Sequence, residues 1–303
     1  MKLIIEQLLN GLTIGSFYAL IALGYSMVYG VMKLINFAHG DLFTLGSFIG
    51  YTLLVMGTAY VTSTFGVWGG MIAAMLVAAI FIGAMGLIVE RLAYRPIYPA
   101  GRLPAVVSAL GVSIIIQNSI MVIWGARPQA YTSNVIPNYM LNIAGLRITV
   151  LQIIILILSF LFMGLLYYVI QKTTFGAAIR ASALDRETAA LMGININLII
   201  FFIFALGPAL GGTAGVMVGM YYRKITFIMG WNYGLKAFTA TILGGIGNIP
   251  GAMLGGLLLG ILEMLGSVYI STAYKDVFVF LILILVLIFR PTGILGEKVA
   301  EKV

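Results

Sequence analysis

The sequence predicts an all-α, polytopic membrane protein of about eight or nine transmembrane segments, some of them broken or re-entrant. Three observations carry that expectation. The chain of 303 residues is 62% hydrophobic and 9% charged, with a mean hydropathy of +1.11; soluble domains carry about a quarter charged residues. Its apolar residues fall into long runs, several near the roughly 20 residues that a helix needs to cross a bilayer. Lys and Arg outnumber Asp and Glu, 17 against 9, and they gather in particular loops, which is how cytoplasmic loops and contacts with anionic lipid look. We therefore do not read the charge of +8 as nucleic-acid binding. With no cysteine and one histidine, a disulfide framework, a thiolate metal site or a protein-built haem site is not expected.

The first run, 8–31, is too long for a signal-peptide core and has no small-residue cleavage site after it, so it is expected to remain as a span. A polar break at 32–41 precedes a shorter run, 42–56. A turn with Gly and Thr leads to 67–89, and then Arg91, Arg95 and Arg102 stand against Glu90. Runs 103–124 and 148–170 flank a segment with Pro128, Pro137 and only two arginines. Residues 171–195 are polar and hold Lys172, Arg180 and Arg186. The run 196–220 contains Pro208 and a Gly-rich second half. A short run, 235–246, ends in the break Gly244-Gly245-Ile246-Gly247-Asn248, and 252–268 and 277–289 follow before a charged tail. The short runs must be tilted, broken or re-entrant, because non-helical backbone at membrane depth survives only inside protein or along a cavity. The Lys and Arg distribution places 90–102, 171–195 and the tail in the cytoplasm and the N-terminus outside.

The whole of 1–303 reads as one transmembrane domain, with two modules, 8–96 and 235–291, that resemble each other. Asn36 and Asn248 each sit between an apolar run and a Gly-spaced run, and each module ends in Arg-Pro, at Arg95-Pro96 and Arg290-Pro291. Interrupted hydrophobic segments in corresponding places point to a transport pathway. Asn36, His39, Asp41, Gly245 and Asn248 are therefore candidates for its lining or gate. For His39 and Asp41 the simpler alternative is that Asp41 caps the helix beginning at Leu42. Lys236 is expected to snorkel. Glu263 is expected to pair or to sit near the outer interface. Tyr221, Tyr222, Trp231 and Tyr233 suit an interfacial belt. Gly255, Gly256 and Gly260 suit close helix packing. No phosphate-binding loop, catalytic triad or paired carboxylates are visible. The chain is not expected to be an enzyme or to hold a cofactor; any nucleotide chemistry belongs on another chain.

The loop 171–195 contains a second kind of candidate. Asp185 can cap a helix of about two turns, and Gly193 can end it in the left-handed conformation. The two turns run from Arg186 through Glu187 to Met192; Ala189 and Ala190 are small enough for another surface to approach closely, and Leu191 and Met192 would supply apolar contact area. Such an element suits docking onto a soluble partner. An ordinary helix lying on the bilayer fits the same residues.

Residues Gln7-Leu8-Leu9-Asn10-Gly11-Leu12, Gly15 to Gly24, and Ile35-Asn36-Phe37-Ala38-His39-Gly40-Asp41 resemble the opening of permease subunits of branched-chain amino-acid importers of the ATP-binding cassette class. Gly234-Leu235-Lys236-Ala237-Phe238, Ile242 to Asn248 and Pro250-Gly251-Ala252 are similar to their C-terminal signature. The chain looks more like the shorter of the two permeases. That resemblance implies the helical fold shared with ribose-type importers. It also implies that Glu187-Thr188-Ala189-Ala190-Leu191-Met192-Gly193 is the coupling helix, with Thr188 where the family has Ala. The implied partners are a homologous second permease, two ATP-binding ATPase subunits and a periplasmic binding protein, in a bacterial inner membrane. A related permease for urea, short amides or a sugar is the nearest alternative. An ion-driven secondary transporter is further off, because the spans hold few carboxylates.

Overall fold

The computed structural model describes residues 2–296 except 132–135, 137–138 and 144. Pro137 and the tail beyond 296 lie outside the described residues. The chain runs through α1 (Lys2–Met32), α2 (His39–Tyr51), α3 (Thr58–Val89), α4 (Arg102–Trp124), β1 (Gln129–Ala130), β2 (Met140–Ile143) and β3 (Leu146–Thr149). It continues through α5 (Val150–Lys172), α6 (Thr174–Leu184), α7 (Arg186–Leu191), α8 (Ile196–Tyr222), β4 (Lys224–Ile225), α9 (Met229–Gly244), α10 (Ile249–Tyr269) and α11 (Lys275–Phe289). All nine apolar runs of the sequence become helices. Among the described residues seven helices are long and apolar enough to cross a membrane. The other two, α2 and α9, have 13 and 16 residues; at 1.5 Å per residue they span about 20 and 24 Å, short of a hydrocarbon core of about 30 Å. The fold is thus helical with two half-length helices, plus two small antiparallel pairs, β1 with β4 and β2 with β3.

Helix α1 is the axis of the molecule. Its most apolar window is 94% buried, against 22% for α4 and 6% for the segment holding α11. A helix buried all round needs small residues wherever another backbone crosses closely. Here Gly11 and Gly15 face Gly256 and Gly260 of α10, and a Cβ on Gly260 would lie 2.1 Å from the Gly15 nitrogen. The packing role expected of Gly256 and Gly260 is the one they play. Helix α8 packs on α1, α2 and α3.

The two short helices start inside the bundle, and the chain reaches each by a reversal. After α1, Lys33 takes φ +52°, and the His39 N–H donates to the Asn36 carbonyl at 3.1 Å. After α8, Arg223 takes φ +56°, and the Met229 N–H donates to the Thr226 carbonyl at 3.2 Å. The two reversals share the sequence pattern Ile-x-Phe-x-x-Gly, at Ile35–Gly40 and Ile225–Gly230. This backbone likeness lies at 33–40 and 223–230. The break at Gly245–Asn248, which the sequence pairs with Asn36, is a further turn of this kind between α9 and α10: Gly245 takes φ +113°, and the Asn248 N–H donates to the Gly245 carbonyl at 3.1 Å.

Helices α2 and α9 cross through their first turns. A Cβ on Gly40 would lie 2.2 Å from the Gly230 oxygen, and one on Gly230 would lie 2.4 Å from the Gly40 oxygen. The rings of Phe43 and Tyr233 meet at 5.1 Å. From that crossing the helices leave in opposite directions. Tyr51 and Thr52, at the far end of α2, bond Gln129 and Trp124. Leu243 and Gly244, at the far end of α9, accept from the Ile294 and Leu295 N–H groups, near the last turn of α1.

Candidate functional site

A small cleft opens beside the crossing, walled by Tyr25, Ile35, Phe37, Asp41, Trp231, Leu235 and Phe238 together with Gly230 and Gly234. Its volume is about 10 Å³, room for one water. Of the five pathway candidates only Asp41 lines it. Asp41 is 2% exposed, accepts a hydrogen bond from the Ser113 hydroxyl of α4 at 2.5 Å through Oδ2, and has no partner on Oδ1. It does not cap α2. The helix begins three residues earlier than Leu42, at His39, with Ala38 in the cap position and no side-chain cap.

His39 is fully buried, edge-on to Tyr25 at 4.8 Å between ring centroids. It fills the space between Gly24 of α1 and Gly211 of α8 and is not part of the cleft wall. Asn36 shapes the reversal. Its Oδ1 accepts from the Ala38 N–H at 3.1 Å and from the Tyr94 hydroxyl at 3.2 Å, and Tyr94 belongs to the π-helical turn Glu90–Tyr94 that ends α3.

Gly245 and Asn248 lie elsewhere. Gly245 ends α9 at φ +113°, against Gly296. Asn248 caps α10 by accepting from the Gly251 N–H at 2.8 Å, and its Nδ2 donates to the Leu295 carbonyl at 2.9 Å. Both residues shape the turn from α9 to α10, and neither lines the cleft.

Lys236 does not snorkel. Its ammonium is buried and contacts Glu263 at 2.6 Å and Asp276 at 2.7 Å. The Tyr18 hydroxyl donates to the second Glu263 oxygen at 2.7 Å. This cluster ties α9 to α1, α10 and the start of α11. The expectation that Glu263 pairs is met, and the carboxylate is thereby committed to structure.

The loop helix forms as its sequence dictates. Asp185 Oδ1 accepts from the N–H groups of Glu187 and Thr188 at 3.0 and 3.2 Å, and Thr188 Oγ1 donates to Oδ2 at 2.9 Å. At the other end Gly193 takes φ +84°; the Gly193 and Ile194 N–H groups donate to the Ala190 and Ala189 carbonyls at 3.0 and 3.1 Å. This double bond pattern satisfies the last carbonyls of α7. Leu191 is 87% and Met192 80% exposed, and Glu187 and Ala190 lie on the surface beside them.

Two residues of α7 face inward. Ala189 is 4% exposed, so a neighbouring protein cannot approach it as the sequence reading supposed. Arg186 reaches back into the bundle. Its Nε donates to the Val31 carbonyl at 2.6 Å, and its guanidinium covers the Tyr98 ring at 5.0 Å and bonds the Tyr98 hydroxyl. Val31 lies in the last turn of α1, two residues before the reversal at Lys33. Partial burial and the nearby guanidinium hold the Lys33 ammonium below its usual pKa range. A physical chain therefore runs from α7 through Arg186 to the reversal that starts α2.

Apart from Asp41 and Trp231, sequence reasoning did not single out the cleft walls, and it missed Ser113, Tyr94 and the second reversal. One signal was available: the repeated Ile-x-Phe-x-x-Gly brackets both helix starts.

The family described as the permease component of branched-chain amino-acid transport systems matches residues 7–287. This chain belongs to that family. A high-affinity branched-chain amino-acid transport system permease protein, LivH of Salmonella typhimurium, is 44% identical over 99% of this chain and 97% of its own. The protein BraD of Pseudomonas aeruginosa, described in the same words, is 45% identical over 99% of this chain and 98% of its own. More distantly, the ribose import permease protein RbsC of Haemophilus influenzae is 25% identical over 66% of this chain and 61% of its own. No solved structure matches. The permease reading made from the opening and C-terminal motifs stands, and so does the relation to ribose-type permeases. As a family member this multi-pass permease is a transport subunit rather than a catalyst.

Proposed function

We propose that this permease carries branched-chain amino acids inward across a bacterial inner membrane as one half of an ATP-driven translocation pathway. A homologous second permease completes the pathway. Two ATPase subunits dock on the face that carries α7, and a periplasmic binding protein delivers cargo to the opposite face. The N-terminus then lies outside and the C-terminus in the cytoplasm. The observation that carries the reading is α7 itself: a helix capped at both ends, projecting Leu191 and Met192 into solvent, and wired through Arg186 to the end of α1. A rigid apolar knob on one side and a link to a discontinuous helix on the other is what a coupling element requires. Nucleotide binding by the partner biases a two-state assembly, and the knob passes that bias inward. Asp185, Glu187, Ala190 and Gly193 shape the docking side; Arg186 and Ala189 shape the side turned to the bundle. Of the pathway candidates, Asp41 lines the route, Asn36 and His39 fix the reversal beside it, and Gly245 and Asn248 close the inner end of α9. The buried charges Lys236 and Glu263 are already paired, which leaves little for an ion-driven cycle.

The test is purification of this chain in mild detergent from its native neighbourhood, followed by reconstitution with what accompanies it. The expected result is co-purification of a second permease and ATPases, with ATP-dependent uptake of leucine exceeding that of urea or ribose. Leu191→Glu is expected to abolish the stimulation of ATP hydrolysis by cargo while the protein stays inserted. Purification of the chain alone, or urea uptake without leucine uptake, would overturn the reading.

A further inference from the structure

We infer that the crossing of α2 and α9 is a recognition site for the charged end of a zwitterionic amino acid, with Asp41 taking the ammonium group and the start of α9 taking the carboxylate. This rests on the cargo reading above and adds to it the contacts that hold the cargo at mid-pathway.

Three observations carry it. Asp41 is nine-tenths or more buried, lines the cleft, and has one oxygen held by Ser113 while the other has no partner. Among the described residues no salt bridge reaches it; those found involve Lys236. A buried carboxylate without a cation is costly unless a cation visits. Beside it α9 begins at Met229 with no side-chain cap, and its Gly230 and Trp231 line the same cleft. The first turn of a helix offers N–H groups and the positive end of its dipole, which suit a carboxylate. Tyr25 and Gly234 complete the lining, and the other walls, Ile35, Phe37, Leu235 and Phe238, are hydrocarbon, as an aliphatic or aromatic side chain requires. An acid and a helix start side by side, over a largely apolar wall, complement the two charges and the side chain of an α-amino acid.

At about 10 Å³ the cleft is shut to any amino acid, so cargo enters only when α2 and α9 part. The α2 side of the site is tied through Asn36 and the adjoining reversal to the end of α1, which Arg186 of α7 grips. The site thus sits where motion at α7 would open or close it.

This chain has no cysteine, so Leu235→Cys in the assembled importer gives it one thiol, in the cleft wall, and labelling is read on this chain after the subunits are separated. Membrane vesicles bearing it are treated with a small methanethiosulfonate, alone or with leucine or 4-methylpentanoate, which is leucine without its ammonium group. Leucine is expected to slow labelling about tenfold, in keeping with the worth of a charge-assisted hydrogen bond, and 4-methylpentanoate to leave it unchanged. Adding Asp41→Asn is expected to abolish the leucine effect, and Asp41→Glu to keep part of it. If Asp41→Asn fails to assemble, the two ligands on the Leu235→Cys background still decide. Equal protection by both ligands, or undiminished leucine protection in Asp41→Asn, overturns the inference. So does absence of leucine protection in vesicles whose unmutated complex imports leucine with ATP; the cargo reading then survives. If the unmutated complex imports no leucine, the cargo reading fails and the inference goes with it.

Discussion

The two reversals use one backbone device and anchor it differently. Lys33 and Arg223 both take left-handed conformations, and an N–H to C=O bond spanning three residues follows each. The first reversal is then held by side chains: Asn36 folds onto Ala38, and Tyr94 bonds both the Asn36 side chain and the Ile35 carbonyl. The second is held by backbone: Lys224 and Ile225 pair with Ala130 and Gln129, and the Tyr131 N–H donates to the Arg223 carbonyl at 3.0 Å. The helices that follow differ in the same sense. In the register that aligns Lys33 with Arg223, Asp41 matches Trp231 and Gly46 matches Lys236. The first half-helix carries its charge at the crossing, and the second carries it one turn deeper, clamped to α10 and α11. The difference teaches that like turns can be anchored by unlike means. A strand pair and a buried ion cluster hold α9, whereas side-chain hydrogen bonds within reach of α7 hold the turn before α2, and α2 itself packs closely on α8.

The largest effect is expected from breaking the clamp. Lys236→Met leaves Glu263 buried without its cation, at a cost of about 3–5 kcal/mol, and Lys236→Met with Glu263→Gln recovers most of it. Thermal unfolding of the purified protein measures both; a single variant as stable as the parent would mean that α9 is not held by charge. Next, Gly40→Ala and Gly230→Ala force apart two backbones that touch, with an expected loss of about 2 kcal/mol each. The same melting experiment checks them, and a loss confined to one would show the crossing to be asymmetric. Tyr94→Phe removes the hydroxyl that pins the first reversal, for about 1 kcal/mol. Amide exchange is expected to rise at His39 and leave Met229 unchanged; equal change at both would sink the idea of separate anchors. The smallest effect sharpens the comparison at its root. Lys33→Gly relieves a left-handed conformation and is expected to stabilise by about 0.5–1 kcal/mol. Arg223→Gly is expected to gain less, because Arg223 also donates to the Ile136 carbonyl.

The helices were legible because hydropathy is local: each of the nine apolar runs became a helix, although α1, α3 and α9 begin six to nine residues before their apolar runs. The first reversal was legible for the same reason, since polar residues interrupt a span. The second was not singled out, because the Gly-rich stretch at 244–251 draws attention while Ile225–Gly230 passes as a loop between spans. Lys236 was misread because a lone charge in a run looks like a snorkelling one, and its partners stand on two other helices. The loop helix was legible in its caps, Asp185 and Gly193, which are local. Its rotation was not. Which way Arg186 and Ala189 face is set by Val31 and Tyr98, far away in sequence. The cleft was the least legible, because it exists only where two distant segments cross.

The seal on α9 has a bearing on how the molecule is made. The carbonyls of Leu243 and Gly244 are satisfied by the N–H groups of Ile294 and Leu295, and Asn248 by the Leu295 carbonyl. A ribosome delivers those donors only after α10 and α11 have been synthesised. Until then the last carbonyls of α9 lack these partners, so the end of α9 is completed only when residues 294 and 295 dock, after two further helices have been made.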